Sequence, residues 1–179
     1  KFTYKERNFK KKVKILVEGN CEDSFKNVDE SFKIVDKLDK NKFDIIYLSY
    51  KSSPKKWYYV NKFYQKVPHD EVAKIYKEAD ILLKTSLLES FSYPPIEMMA
   101  TGGLCVLIKN DGNSEYVKDK ENCLCFKSGD INAALEAIDT LVSNRELREK
   151  IISNGLKTAK NYSWDNIDKD IVNMYLSSK

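Results

Sequence analysis

The sequence contains very little arginine. Only three of its 31 basic residues are arginines, and the lysines that make up the rest are interspersed with 27 acidic residues. A surface that binds nucleic acid usually gathers arginine and lysine on one element of structure. Because no such cluster is present and the net charge is only +4, we interpret the lysines as solvated surface and expect no nucleic-acid partner.

Histidine and cysteine are also scarce. The single histidine, His69, is distant in sequence from the four cysteines, and no C-x-x-C pair occurs. This pattern argues against a zinc site and favours free thiols in a reducing compartment. We therefore expect no metal ion or other cofactor, and a cytoplasmic protein.

Long apolar runs are missing as well. No segment approaches the roughly 18 apolar residues of a membrane helix, and no signal peptide is recognisable. The chain begins with lysine, and its first residues, KFTYKERNFKKK, are densely charged. We expect residues 1–12 to be a linker and residues 13–179 to be one domain of a longer protein, since a chain of 179 residues that is 42% hydrophobic suits a single core.

The sequence does contain apolar runs of strand length that alternate with segments of helical period. The predicted strands are 13–18, 43–49, a more exposed one within 59–67, 80–86, 104–108 and a short one within 121–126. The predicted helices are 28–38, 69–79, 96–103, and two or three from about residue 131 to the end. This alternation predicts an α/β fold, a doubly wound parallel sheet with helices on both faces. Ligands of such sheets bind beyond the carboxyl ends of the strands, which directs attention to the loops after Glu18 and Ser86.

The stretch LLESFSYPPIEMM, residues 87–99, combines a potential anion site with two acids. Pro94 and Pro95 are pre-set for the first turn of a helix but have no N–H group. The N–H groups before them, those of Ser90, Phe91 and Ser92, therefore have no partner inside the helix. Together with the helix dipole they are predicted to form a site for an anion.

Glu89 and Glu97 stand on either side of these amides. Glu97 falls in the predicted first turn, where a negative charge is stabilising by itself, so a structural role and a ligand-binding role both stay open. Glu89 lies in an otherwise apolar and hydroxyl-bearing loop. An ionised carboxylate only accepts hydrogen bonds, and polyhydroxylated ligands offer donors in pairs. The spacing is therefore compatible with ligand binding without requiring it.

The segment DILLKTSLLESFSYPPIEMMATGGLCVLI, residues 80–108, resembles the signature of retaining glycosyltransferases with the GT-B fold, group one in older naming and family four in the numbered classification. That signature has an aspartate, an apolar strand and a serine, then a glutamate and a phenylalanine between small residues. A second glutamate follows eight residues after the first, and A-x-G comes next. The matching residues are Asp80, Ser86, Glu89, Phe91, Glu97, Ala100 and Gly102.

Segments on both sides extend the resemblance to nearly the whole chain from about Val13. NDGNSEYVKDKENCLCF is similar to the family's GG-x-x-E-x-V loop and following strand, and NRELREK and NYSWDNI are similar to its closing helices. EGNCEDSFKNVDESFKIV is similar to the glycine loop and lysine that precede the first helix of the domain. The residues that carry these matches are Gly112, Glu115, Val117, Ser163, Trp164, Gly19 and Lys26.

The resemblance implies a site for the sugar donor. The family's second glutamate binds the ribose hydroxyls of the nucleotide, a role that carries to Glu97. The first contacts the donor sugar and faces its anomeric centre, which makes Glu89 the candidate catalytic residue. A lysine after the first strand neutralises the diphosphate, and a glycine there lets phosphate approach the backbone, which carries to Lys26 and Gly19.

Further contacts follow from the same resemblance. The amides of Ser90, Phe91 and Ser92 are expected to hold the diphosphate or the sugar, and Val67 is the candidate for contact with the base. Lys84, at a strand end close to the site, is a second candidate for the diphosphate, with an ordinary surface lysine as the alternative. His69 is expected to begin a helix as a capping or exposed residue rather than to act in catalysis.

The implied reaction transfers a sugar from a nucleotide diphosphate sugar to a glycan or lipid-linked acceptor with retained anomeric configuration. Lysine and helix-start amides stabilise the departing diphosphate in this family without a metal ion. The acceptor-binding N-terminal domain is absent from this chain, so we expect the chain alone to transfer no sugar. In the full-length protein we expect a role in bacterial surface polysaccharide synthesis, in the cytoplasm, with the inner face of the membrane as an option.

One departure keeps two alternatives open. The family usually has an arginine a few residues before the lysine, and NCEDSF, residues 20–25, offers none. Diphosphate binding would then depend on Lys26, the amides and a residue such as Lys84. A binding module that has lost transfer is one alternative. Another GT-B enzyme, such as a nucleotide-sugar epimerase, is the other, although it would need more histidines and carboxylates than this chain has.

Overall fold

The computed structural model describes residues 2–9, 11–163 and 166. Its strands are β1 Val13–Glu18, β2 Phe43–Ser49, β3 Lys62–Gln65, β4 Ile81–Lys84, β5 Leu104–Ile108 and β6 Leu124–Phe126. Its helices are α1 Val28–Val35, α2 His69–Glu78, α3 Tyr93–Ala100, α4 Ile131–Ser143 and α5 Arg145–Asn161, with a single 3₁₀ turn at Ser24–Lys26 before α1. Trp164, one of the residues quoted for the resemblance, lies outside the described residues.

The six strands form one parallel sheet in the order β3-β2-β1-β4-β5-β6. Because successive side chains point to opposite faces, the continuously apolar strands supply two cores at once. Ile15 and Val17 pack with Phe32 of α1 on one face, and Leu16 packs with Met98 of α3 on the other. This arrangement confirms the predicted α/β, doubly wound sheet with helices on both faces.

The start of α3 differs from the prediction by one turn. The helix begins at Tyr93 rather than at residue 96, so that Pro94 and Pro95 lie inside its first turn. Proline fits there for two reasons. Its φ is already helical, and the N–H groups of the first turn have no acceptor inside the helix, so the missing N–H costs no hydrogen bond. Glu97 consequently stands at the beginning of the second turn, and the dipole argument for a purely structural role loses force.

The order of the strands opens a crevice at the carboxyl edge of the sheet. The strand that follows β1 in the chain, β2, lies on one side of β1, whereas β4 lies on the other side. The loops that follow β1 and β4 therefore leave the sheet in opposite directions. Gly19 directly follows β1 with φ +139°, and a Cβ there would lie 3.1 Å from Cγ2 of Val28. Glycine is therefore required for the tight return of the chain toward Lys26.

Residues 2–9 have no regular secondary structure in the fold but are packed against it. The guanidinium of Arg7 donates to the carbonyl of Ala79 at 2.9 Å and of Tyr76 at 3.1 Å, and to Oγ1 of Thr101 at 2.8 Å. Burial lowers the pKa of Arg7 to about 10 in spite of the nearby carboxyl of Asp80. These contacts fix the predicted linker to the ends of α2 and α3; the domain boundary at residue 12 stays a prediction.

Candidate active site

Lys26 and Glu89 meet at the crevice although they are 63 positions apart in sequence. Nζ of Lys26 lies 3.0 Å from Oε1 and 2.8 Å from Oε2 of Glu89. Lys26 reaches this position because the 3₁₀ turn follows the tight return at Gly19, and Glu89 because it lies in the loop between β4 and α3. The structure thus brings together the predicted phosphate lysine, its glycine and the predicted catalytic acid.

Lys84 lies underneath this pair at the end of β4. Its side chain is only 2% exposed, and its Nζ is 2.5 Å from Oε2 of Glu18 and 3.1 Å from Oε1 of Glu89. The surface-lysine alternative is therefore wrong, because β4 is a central strand whose end is covered on all sides. Lys84 is close to the candidate diphosphate site, as predicted, but its ammonium faces two carboxylates rather than open space.

The charges of this cluster stabilise one another. Burial would lower the pKa of Lys84, yet the carboxylates of Glu18 and Glu89 outweigh it and raise that pKa. Burial would likewise raise the pKa of Glu89, but Lys84 and Lys26 together hold it below its usual value. Glu89 is therefore an ionised carboxylate throughout the neutral range.

Glu97 lines a separate cleft of about 240 Å³ on the other side of Glu18. Val67, the candidate for contact with the base, lines the same cleft, together with an aromatic and polar wall. The remaining lining residues are Glu18, Leu48, Ser49, Tyr50, His69, Val72, Tyr76, Tyr93 and Pro94. Glu89 is not part of this lining. The two candidate acids therefore lie in two halves of the crevice. Glu18 connects the halves, because it lines the cleft of Glu97 and pairs with Lys84, which contacts Glu89.

Glu97 has an environment unlike that of Glu89. Burial, followed by the negative charge of Glu18, raises the pKa of Glu97 to about 7, and a hydrogen bond with Tyr76 opposes the rise. The shift means that the carboxyl changes protonation near neutral pH. A carboxyl that stands at the edge of a cleft and titrates near neutrality is a frequent mark of a functional site.

The amides before α3 are only partly as predicted. Within the described part of the chain, no hydrogen-bond partner is found for the backbone N–H groups of Ser90 and Phe91, which leaves them available to an anion. The Ser92 N–H, in contrast, donates to the carbonyl of Gly112 at 2.9 Å. The prediction for the Ser92 amide is corrected accordingly, because the loop after β5 uses that donor to hold the end of the 89–92 loop.

The loop after β5 contacts residues 86–92 of the loop between β4 and α3 at both ends and in the middle. Nδ2 of Asn110 donates to the carbonyl of Ser86 at 2.8 Å, and the hydroxyl of Tyr116 donates to the carbonyl of Ser92. Gly112 approaches so closely that a Cβ on it would lie 2.2 Å from the carbonyl oxygen of Glu89. The conformation of the Glu89 loop is thus set by residues far downstream in sequence.

The glycine loop has no arginine before Lys26, and its Asn20 organises the loop itself. Oδ1 of Asn20 accepts from Oγ of Ser49 at 2.9 Å and from the N–H of Lys51 at 2.8 Å. The hydroxyl of Tyr47 adds a bond to the carbonyl of Gly19 at 2.9 Å. These bonds hold the loop in shape but place no second cation beside Lys26.

Among the crevice residues that sequence reasoning missed are the two that act on Lys84 and Glu97, namely Glu18 and Tyr76. Glu18 carried a signal, since it is the last residue of a strand whose end was expected at the crevice, but its pairing with Lys84 needed the sheet register. Tyr76 was assigned only to the apolar stripe of α2, and its pattern does not distinguish a core tyrosine from one that reaches a cleft carboxyl. His69 begins α2 and is exposed, as predicted.

The described residues form neither a metal-binding cluster nor a membrane-spanning helix. In residues 2–9, 11–163 and 166, no three His, Cys, Asp or Glu side chains are grouped so that they could hold a metal ion. Over the same part of the chain, none of the helices has the length and apolar character needed to cross a membrane.

Known proteins match this chain in sequence. The family model described as "Glycosyl transferases group 1" matches residues 60–158. An uncharacterised glycosyltransferase of Methanocaldococcus jannaschii is 33% identical over 107 residues, which are 59% of this chain and 27% of that protein. A D-inositol 3-phosphate glycosyltransferase of Corynebacterium urealyticum is 29% identical over 116 residues, which are 65% of this chain and 27% of that protein. The chain therefore spans about a quarter of the length of these curated relatives.

Solved structures match the fold. The C-terminal domain of a group 1 glycosyl transferase from Francisella tularensis, LpcC, has a TM-score of 0.74 at 19% identity and covers 90% of this chain and 95% of that chain. Anabaena Alr3699/HepE, solved in complex with UDP-glucose, has a TM-score of 0.76 at 18% identity and covers 92% and 49% of the two chains. At this level of identity the similarity speaks for the fold alone, which is that of a GT-B C-terminal domain.

Proposed function

The chain belongs to the group 1 glycosyl transferases, and from this premise we propose that it is the donor-binding domain of a retaining hexosyltransferase. The donor is a nucleotide diphosphate sugar, and the acceptor is a glycan or glycoconjugate. The observation that carries the proposal is the two-part crevice where the strand order reverses: Lys26 and Glu89 meet in one part, and Glu97 lines the other.

The part that contains Lys26 suits the diphosphate. Transfer breaks the bond between the anomeric carbon and the β-phosphate oxygen, and the electron pair leaves on the diphosphate. Negative charge thus develops where the Lys26 ammonium and the amides of Ser90 and Phe91 lie, beside a helix N-terminus. Donors that are held in place before the reaction stabilise such charge without any reorganisation.

The part that contains Glu97 suits the nucleoside. As an ionised carboxylate Glu97 would accept hydrogen bonds from the two ribose hydroxyls, and Val67 would pack against the base. Glu89, in the same part as Lys26, would accept hydrogen bonds from hydroxyls of the sugar, next to the anomeric centre. The structure of the Anabaena neighbour supports this class of ligand, since it contains UDP-glucose in a related fold.

The rest of the protein's activity is an extension of the proposal. The acceptor would be bound by an N-terminal domain that this chain does not contain, and the product would be a bacterial surface polysaccharide made in the cytoplasm or at the inner face of the membrane. Family membership supports glycosyl transfer, and the acceptor, the product and the location are proposals that go beyond it. The chain by itself is expected to transfer no sugar, and measurable turnover by the isolated chain would contradict that expectation.

Titration calorimetry of the 179-residue chain with UDP, GDP and dTDP tests the proposal. We expect one of the three to bind preferentially, with loss of binding in Glu97→Ala and a reduction of about ten- to a hundredfold in Lys26→Ala, the effect of one charge-assisted hydrogen bond. Lys14→Ala is the matched control, because Lys14 pairs with Glu78 at the opposite end of β1. Binding that is indifferent to both site substitutions, or absent for all three nucleotides, would refute the assignment.

A binding module without transfer activity is the second candidate. Asn20 favours it, because that side chain occupies the glycine loop without supplying the second positive charge that the family resemblance implies. A transfer assay with the longer parent protein separates the two, since an enzyme releases the nucleoside diphosphate on turnover and a binding module does not. An epimerase is less favoured, because the chain has one histidine and it lies exposed at the start of α2.

A further inference from the structure

Four side chains form an alternating row of charge at the crevice. Lys26 contacts Glu89 at 2.8 Å, Glu89 contacts Lys84 at 3.1 Å, and Lys84 contacts Glu18 at 2.5 Å. Two positive and two negative groups therefore cancel. The four residues come from four different elements, namely the 3₁₀ turn, the loop before α3, β4 and β1.

The two lysines of this row differ in freedom. The Lys26 side chain is 22% exposed and stands on a short turn at the crevice, whereas the Lys84 side chain is 2% exposed and stands on a central strand. Lys84 is also held from its other side by Glu18. Lys26 can therefore change partners by a rotamer change, but Lys84 cannot leave Glu89 without breaking a buried pair.

The proposed function requires such a change of partners. In this structure the Lys26 ammonium spans both oxygens of Glu89. To reach a diphosphate it must give up at least part of that contact. Glu89, whose side chain is only 10% exposed, would then be a carboxylate with one cation lost, at the moment when it has to present its oxygens to the donor sugar. Lys84 is the group that can keep it charged and in position.

We propose that Lys84 is a positioning residue that anchors the Glu89 carboxylate while Lys26 moves from Glu89 to the diphosphate of the donor. The inference rests on the proposed function, and it assigns different tasks to two lysines that the sequence analysis placed together in the diphosphate site. Lys26 acts on the diphosphate directly. Lys84 acts on the sugar through Glu89.

The two tasks have separable consequences for binding. Loss of the Lys26 charge weakens a nucleoside diphosphate and its sugar conjugate by the same factor, because both carry the diphosphate. Loss of the Lys84 charge leaves the diphosphate contact but removes the anchor of Glu89. The additional affinity that the sugar supplies is then reduced, by about ten- to a hundredfold for one lost charge-assisted hydrogen bond.

Calorimetry with matched pairs, UDP and UDP-glucose, GDP and GDP-glucose, and dTDP and dTDP-glucose, tests this separation. Lys84→Met is expected to weaken the glucose conjugate selectively and Lys26→Met to weaken both members of a pair. Lys14→Met, remote from the crevice, is expected to change neither. Circular dichroism confirms folding of each variant. If Lys84→Met is unfolded, Lys84→Met/Glu18→Gln takes its place, because it removes one of the two acids that would be left unpaired.

A second readout does not depend on the identity of the sugar. The carboxyl carbon of Glu89, assigned with Glu89→Gln, is followed by NMR as pH is varied, with and without the nucleoside diphosphate that binds. The charged or titratable groups around this carboxyl are Lys26 from the 3₁₀ turn, Lys84 from β4 and Tyr116 from the loop after β5, with Glu18 of β1 behind Lys84. The nucleotide is expected to raise the titration midpoint of Glu89 further in Lys84→Met than in the unmodified chain, because no second cation then remains beside the carboxylate when Lys26 leaves it.

The outcomes are distinct. Equal weakening of both members of each pair by a folded Lys84→Met, or an unchanged difference between them, overturns the inference, as does a nucleotide effect on Glu89 that is the same with and without Lys84. Failure of every nucleotide to bind the unmodified chain would instead refute the proposed function itself. A merely structural Lys84 would lower thermal stability without separating the paired ligands.

Discussion

Glu89 and Glu97 lie eight positions apart on one continuous loop and helix, yet they stand in opposite electrostatic surroundings. Glu89 is held between the ammonium groups of Lys26 and Lys84. Glu97 instead faces Glu18, a like charge, with the hydroxyl of Tyr76 as its neutral partner. Burial acts on both acids in the same direction, since it raises each pKa.

The comparison shows that the counter-charge, rather than the depth of burial, decides the state of each carboxyl. Two lysines outweigh burial at Glu89 and hold its pKa below the usual value, whereas burial and Glu18 together raise the pKa of Glu97 to about 7. The carboxylate of Glu89 is therefore ionised throughout the neutral range, before any ligand binds. The carboxyl of Glu97, in the other half of the crevice, changes its charge within the physiological pH range.

The largest expected effect comes from removing Lys84, the cation that lies between Glu89 and Glu18. Lys84→Met leaves Glu89 with Lys26 alone and Glu18 without its partner at 2.5 Å. Breaking a buried pair from one side costs about 3–5 kcal/mol because an uncompensated charge stays behind. We expect a loss of this size in the free energy of unfolding, measured by urea denaturation near neutral pH.

Lys14→Met is the matched control for this loss. Lys14 also pairs with a glutamate, Glu78 at 3.1 Å, but both side chains are partly exposed, at 38% and 26%. Such pairs contribute about 0–1 kcal/mol. If the two substitutions cost the same, the counter-charge at Glu89 is no more important than a surface ion pair, and the contrast drawn between the two acids fails.

A smaller effect is expected when the Glu89 loop is displaced and the Glu97 helix is left intact. A Cβ at Gly112 would lie 2.2 Å from the backbone oxygen of Glu89, so Gly112→Ala must push that loop away. Overpacking of this kind costs about 2–3 kcal/mol. We expect this loss in the free energy of unfolding, together with an NMR titration of Glu97 that keeps its midpoint.

Gly129→Ala is the opposite case, in which the backbone is strained but the new Cβ meets no atom. Gly129 has φ +88°, and no atom lies within 4 Å of the position that a Cβ would take there, so alanine costs about 1–2 kcal/mol through strain alone. A midpoint of Glu97 that moves together with Glu89 in Gly112→Ala would show that the two halves of the crevice are mechanically one unit.

Most of the fold could be predicted from the sequence because its information is local. The apolar runs of β1, β2, β4 and β5 and the period of α1 and α2 identify these elements without knowledge of their partners. The short exposed strand β3 and the short β6 were also found, since both are bounded by turn residues. The start of α3 was placed late because apolar periodicity begins at Ile96, whereas the prolines extend the helix backward to Tyr93.

The site could be predicted only as far as its residues are signalled locally or by the family resemblance. Lys26, Glu89 and Glu97 carried such signals. The burial of Lys84 depends on the sheet register that places it beside Glu18, and the use of the Ser92 amide depends on a loop twenty residues downstream, about Gly112. Long-range pairings of this kind leave no periodic trace in a sequence.

The smallest expected effect concerns the direction in which each acid makes stability depend on pH. A carboxyl whose folded pKa is raised contributes stability at low pH that is lost as pH rises from its unfolded pKa through its folded pKa. For Glu97 this window runs from 4.5 to about 7. Glutamine in Glu97→Gln cannot titrate, so the free energy of unfolding of this variant should rise relative to that of the unmodified chain across the window. Above the window we expect the variant to be more stable by about 1–2 kcal/mol, after allowance for partial solvent screening.

Glu89→Gln is the control of opposite sign. The pKa of Glu89 is lowered, so its stabilising contribution is present above its unfolded pKa and is lost as pH falls through the lower, folded value. Relative to the unmodified chain, this variant should therefore lose stability as pH rises, while Glu97→Gln gains it. Urea denaturation of the three proteins from about pH 2 to pH 8 measures both differences, that of Glu89 below pH 4.5 and that of Glu97 between pH 4.5 and about 7. Two parallel curves would mean that the acids share one environment, because only opposite counter-charges can give the two differences opposite slopes.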